Sequence, residues 1–183
     1  METSPFYDLG QVEEIAVNLF YGWGYNFYRK ENQLRADDLL VRAKVGNLLG
    51  SARKSVETAE RDYRREFLPP PTREKPRPDP AAVAGAQAIE RLAHAIGAVA
   101  GQITALPVPE NDRMTQRYRQ EAGTLAQLIS SDQTLAGQAE ILRKMLDQKA
   151  GAWIIENMPG LQEGIAAISE TLRMRQLLLF PAA

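Results

Sequence analysis

The chain of 183 residues contains no cysteine and a single histidine, His94. The first absence removes disulfides, thiol nucleophiles, iron–sulfur clusters and cysteine-ligated zinc together. It also suits a reducing compartment, so a cytoplasmic location is the expectation. The second removes most helical metallochemistry. Di-iron bundles need Glu-x-x-His pairs on two helices, and here Glu90-Arg-Leu-Ala-His94 has the wrong spacing and no mate. An HExxH zinc site needs two histidines. A Ser-His-Asp relay would have only His94 to use and lacks a G-x-S-x-G elbow. Haem ligation by His94 with a methionine is outweighed by its position off the apolar seam of its helix, where a partly exposed side chain is expected.

Other signatures are also missing. There is no phosphate-binding P-loop, and no G-x-G-x-x-G follows a strand pattern. Asp37-Asp38 lacks the DDxxD spacing of helical prenyl-transfer enzymes, and neighbouring helical residues point about 100° apart; a helix-dipole role at a helix start fits better. No apolar run approaches the ~20 residues of a membrane span, and Met1–Tyr7 has no leader-like basic and apolar regions. The formal net charge of −1 gives no global field for nucleic acid or an anionic membrane. Even in the most basic stretch, Arg61–Asp79, acids alternate with the bases, as in a solvated helix end and linker. No catalytic residue, metal ligand or cofactor is therefore assigned.

What is present is helical periodicity. Ile89, Leu92, Ile96, Val99, Ile103 and Leu106 form one seam, and Val45, Leu49, Ala52, Val56, Ala59 and Tyr63 another. Such three- and four-residue steps place one apolar stripe along a helix that must be buried. The fold class is all-α: a bundle of five to six helices with one very long helix and a Pro-rich crossover. Residues 1–67 carry N-terminal helices and an aromatic cluster, 68–79 an extended connector, and 80–183 a C-terminal bundle, all packed as one domain. No internal repeat is apparent.

The first helix is expected to start at Asp8 with Gln11 three residues on, a capping-box pattern. Its apolar face is Leu9, Val12, Ile15, Ala16, Leu19, Phe20 and Trp23, with a kink where Gly22 and Gly24 flank Trp23. The second helix, about Leu34 to Phe67, would reach ~50 Å. Five prolines between Leu68 and Asp79 forbid helix there and favour an extended strap, long enough to return along the second helix. Parallel and antiparallel arrangements of helices two and three both stay open. A ligand for an SH3-like domain is the alternative use of that segment.

Asp79 and Pro80 cap a third helix. Its many Ala and Gly residues suggest that it sits centrally, ending before Pro107. A fourth helix is expected over about Asn111–Ser130. Ser130 or Ser131 then caps a fifth bearing Leu135, Ala139, Leu142, Leu146 and Trp153. Pro159-Gly160 precedes a sixth with Leu161, Ile165, Ile168 and Leu172. The terminal Leu177–Phe180 run is too apolar for a free tail.

Two clusters are candidate binding sites. Phe20, Tyr21, Trp23, Tyr25, Phe27 and Tyr28 fall within nine positions. Phe20, Trp23 and Phe27 share one helical face and plug the core, while Tyr21, Tyr25 and Tyr28 share another. One small bundle does not easily bury both, and Tyr and Trp favour interface hot spots. Arg113 and Arg117, four apart beside Tyr118, have the spacing to clamp a carboxylate or phosphate, but a solvated helix face is the favoured reading. The leading functional expectation is a non-enzymatic helical protein–protein interaction module, an adaptor, assembly factor or regulator that self-associates. The alternative is a small-molecule sensor or carrier with an apolar pocket lined by Trp23, Tyr25, Phe27 and Trp153. An enzyme would need two buried, mutually close carboxylates with raised pKa values.

Overall fold

Residues 4–21, 35–73, 76–106 and 122–179 are described by the computed structural model of the chain, with side chains described outside 35–39, 122–125 and 179. Among them are six helices and no strand: α1 (Leu9–Tyr21), α2 (Arg35–Phe67), α3 (Pro80–Ala105), α4 (Ala122–Leu146), α5 (Gly151–Glu156) and α6 (Met158–Leu179). The expectations for Trp23 to Tyr28 and for a helix start near Asn111 lie outside the described residues, as does Phe180.

The local signals at two helix starts operate as expected. Asp8 Oδ1 accepts from the Gln11 N–H at 3.2 Å. Asp79 Oδ1 accepts from the Ala81 N–H at 3.0 Å with Pro80 in the first turn. Each supplies an acceptor to an amide with no partner inside its helix. On α1 the stripe Val12, Ala16 and Phe20 is buried, whereas Leu9 is 59% exposed. Ile15 and Leu19 pack against the core beside that stripe, so among its described residues the expected inner face is corrected at Leu9 alone. At that end the core position is filled by Phe6, brought inward by a turn in which the Tyr7 N–H donates to the Ser4 carbonyl.

Helices α2 and α3 form an antiparallel pair. Arg42, near the start of α2, donates from Nε to the Ile103 carbonyl at 3.1 Å and from Nη2 to those of Thr104 and Leu106 at 3.1 and 2.6 Å. These are carbonyls that the end of α3 leaves without intrahelical donors. Further along, Arg53 lies against Gly97, and the Tyr63 hydroxyl lies against Gly85. Near the other end Arg64 Nη2 meets Glu90 at 3.0 Å. The non-helical stretch after Phe67 thus joins adjacent helix ends. It is a hairpin connection, not a strap returning along α2.

The central helix is α4, not α3. Every residue from Asp132 to Leu142 is buried, and α4 packs against α1, α2 and α6. Helix α3 packs against α2, α5 and α6, and leaves Ala84, Ala98 and Gly101 exposed. Of its glycines, Gly85 and Gly97 lie against α2, where an added Cβ would come 2.5 Å from the Tyr63 hydroxyl and 3.0 Å from the Arg53 guanidinium. No break occurs at Ser130–Ser131. Helix α4 runs through them, and the Ser130 carbonyl accepts from the Thr134 hydroxyl at 2.8 Å. The chain turns instead at Asp147–Gln148, with Gln148 at φ 53°, before the short α5. Trp153 on α5 is half-buried beneath Lys149, whose Nζ lies 4.9 Å from its ring centre.

Candidate interaction site

Two surfaces of α1 define the site, one turned in and one turned out. The inward surface is fitted to a groove on α4 and α6. Val12 crosses α4 at Gly137, where a Cβ would sit 2.2 Å from the Val12 carbonyl oxygen. Only a residue without a side chain permits that crossing. Phe6 fills a recess over Gly164 of α6, where a Cβ would come within 2.4 Å of its ring. Gln138, 3% exposed, donates from Nε2 to the Phe6 carbonyl at 3.0 Å, and its Oε1 accepts from Thr171 of α6 at 2.9 Å. The amide is thereby held in one orientation, with its donor aimed at the N-terminal segment.

The outward surface of α1 is mixed: Gln11, Glu14 and Asn18 are exposed on it, with Val17 and Tyr21 among them. Val17 is 36% and Tyr21 82% exposed, joining Leu9, and Tyr7 precedes them. Of the aromatic residues expected to form a second face, Tyr21 is placed at the surface. Trp23, Tyr25, Phe27 and Tyr28 lie outside the described residues, as do Arg113 and Arg117.

Sequence reading missed the polar interior of α4. Asp132 pairs with Arg175 of α6 at 2.5 Å, with both side chains nearly enclosed. Glu140 accepts two hydrogen bonds from Arg143, at 2.7 and 2.8 Å, with Lys144 at 3.8 Å. Burial alone would raise the Glu140 pKa. The Arg143 hydrogen bonds and the charges of Arg143, Lys144 and Lys44 outweigh it and hold the carboxyl below 4.5. Lys44 of α2 is shifted below 10.5, first by burial, with Glu140 opposing and Arg143 adding to the shift. Asp132 and Glu140 stand eight positions apart on one helix, ~12 Å along its axis. Each is ion-paired, so the close carboxylate pair that acid–base chemistry would need is not assembled by them.

An open cleft of about 690 Å³ lies between the C-terminal half of α2 and residues 147–152. Lys54, Asp62, Glu66, Asp147 and Lys149 line it together with Tyr63 and Phe67. Trp153 takes no part in that lining, and the apolar pocket expected around Trp23, Tyr25 and Phe27 lies outside the described residues. His94 is 73% exposed, 3.9 Å from Glu90. Among the described residues no cluster of three or more His, Asp or Glu is placed to hold a metal ion, and no helix is long and apolar enough to cross a membrane. No family model, no curated protein and no solved structure matches the chain.

Proposed function

We propose that the chain is a non-enzymatic helical interaction module, an adaptor or assembly factor, that self-associates through the outer face of α1. The observation that carries this reading is the exposure of Val17 and Tyr21, one turn apart, on a helix whose other side is already buried. An exposed apolar pair of this kind gains free energy when another surface covers it. Tyrosine adds contact area with little conformational entropy to lose, which suits it to an interface. In this reading the 33-residue α2, braced against α3, serves as a rigid spine that presents α1 through α4.

Light scattering coupled to size exclusion tests the reading. The expected result is a mass above the 20.4 kDa of one chain, increasing with concentration across the micromolar range and above. Replacing Val17 and Tyr21 together by Ser should return the mass to that of one chain without changing helix content or the urea midpoint of dilute samples. A single-chain mass at every concentration refutes self-association.

A further inference from the structure

Connections between antiparallel neighbours in helical bundles commonly take about 2–8 residues. Helices α2 and α3 are such neighbours, yet twelve residues, 68–79, separate Phe67 from Pro80, and five of them are proline. Closing the hairpin needs neither that length nor that composition. Nor does the core, because Pro69, Pro70, Pro71, Pro76 and Pro78 are all exposed. Pro69, Pro70 and Pro71 make a short rod by their own chemistry. Each ring fixes φ at about −65°, and each following proline confines the residue before it to extended ψ. Leu68 is thereby held extended, and Pro69 and Pro70 in the polyproline II region. Both flanks of the connector are anchored: the Leu68 N–H donates to the Arg64 carbonyl at 2.9 Å, and Asp79 caps α3. Beyond the rod, Arg73 and Arg77 are exposed, and neither joins an ion pair among the described residues.

We propose that the Pro69–Pro71 rod, with Arg73 and Arg77 beside it, is the docking segment for a separate protein whose shallow groove is lined by aromatic rings and flanked by acidic side chains. Adjacent pyrrolidine rings pack against Trp and Tyr faces, and the rod, already stiff before binding, has little conformational entropy left to lose. Acidic residues at the rim of the groove complement the two arginines and set the direction in which the segment lies. No two prolines of the connector stand three apart, so the PxxP spacing read by an SH3-like partner is absent. A clamp for adjacent prolines is the mode that fits. The proposal extends the interaction-module reading to a second surface and stands whether or not the chain self-associates through α1.

The test titrates the full nitrogen-15-labelled chain with a panel of purified WW domains, which read proline through an aromatic-lined groove. At least one domain is expected to bind with a Kd below about 1 mM, shifting the Leu68, Thr72, Arg73 and Arg77 amides while those of α1 and α4 stay in place. Replacing Pro69, Pro70 and Pro71 together by Ala should weaken that binding by about tenfold or more. Arg73→Glu with Arg77→Glu should weaken it by about threefold or more and flatten its salt dependence. Urea midpoints near the parent's check that both variants keep the bundle, and the charge variant carries the test if the proline variant does not. The proposal is overturned if no domain binds up to about 1 mM, if the shifts map elsewhere, or if both replacements leave the affinity unchanged. Light scattering on the same samples reads self-association separately.

Discussion

Gln148 holds a left-handed backbone, φ 53°, at the turn that ends α4, where the Lys149 N–H donates to the Leu146 carbonyl. A side chain in that region crowds the following carbonyl, and glycine is the usual residue at such helix ends. Gln148→Gly should raise stability by about 1 kcal/mol in urea unfolding, the relief of strain outweighing the extra freedom glycine gains when unfolded. Glu140 offers a second test at this scale. Its folded pKa lies below 4.5, so the native state favours the ionised form, and the resulting stabilisation is present above that value. It is lost as pH falls through the lowered folded pKa, because the unfolded chain takes up its proton first. Glu140→Gln should cost about 1–2 kcal/mol near pH 7, the scale of a charged hydrogen bond. The gap between variant and parent should stay constant down to about pH 4.5 and then narrow, as followed by urea midpoints at successive pH values. Caps such as Asp8 and Asp79 were legible in the sequence because their chemistry is complete within a few positions. The placement of Gln148 was not, since glutamine carries no signal for a left-handed turn.

At the scale of elements, the crossing of α1 over α4 depends on Gly137, and a methyl group tests it. Gly137→Ala puts a Cβ 2.2 Å from the Val12 carbonyl, which forces the two backbones apart. The expected loss is about 1–3 kcal/mol, with faster amide exchange concentrated in α1. Gly101→Ala on α3 is the control, because nothing lies within 4 Å of the added carbon. It should stabilise by about 0.5–1 kcal/mol through helix propensity alone. This contrast shows why α3 was misjudged as central: smallness permits close approach but does not require it. The seams of α2 and α3 were read correctly because aliphatic side chains at helical spacing have only one place to go. On α4 the same reasoning failed. Asp132, Gln138 and Glu140 interrupt its apolar pattern, and a sequence reader sends such residues to solvent. They turn inward because each meets a partner elsewhere, namely Arg175, the Phe6 carbonyl with Thr171, and Arg143 with Lys44. The pairings of Asp132 and Gln138 join residues distant in sequence, and although Glu140 and Arg143 stand three apart, nothing in that spacing marks the carboxylate as buried. Ser130–Ser131 misled for a related reason, since serine caps a helix only where the chain has cause to break.

For the whole molecule, the question is what selects one packing of six helices among many that would bury similar apolar area. Aliphatic seams are permissive, because helices can slide by a turn and still cover them. The ion pair between Asp132 and Arg175 is not, since it is satisfied in one register of α4 on α6. Removing one partner takes a charged hydrogen bond from an enclosed site, and Arg175→Met should cost about 1.5–3 kcal/mol. Replacing both, as Asp132→Leu with Arg175→Met, removes the desolvation cost together with the attraction. That double variant should recover most of the loss and fall within about 1 kcal/mol of the parent, or exceed it. A thermodynamic cycle of the parent, two single variants and the double, measured by urea unfolding, reads the coupling directly. Strong coupling with little net stabilisation would assign the pair to the choice of register. Additive losses in the two single variants would show instead that Asp132 and Arg175 act through separate contacts, and the register of α6 would then have to come from Gln138, Thr171 and the seating of Phe6 over Gly164.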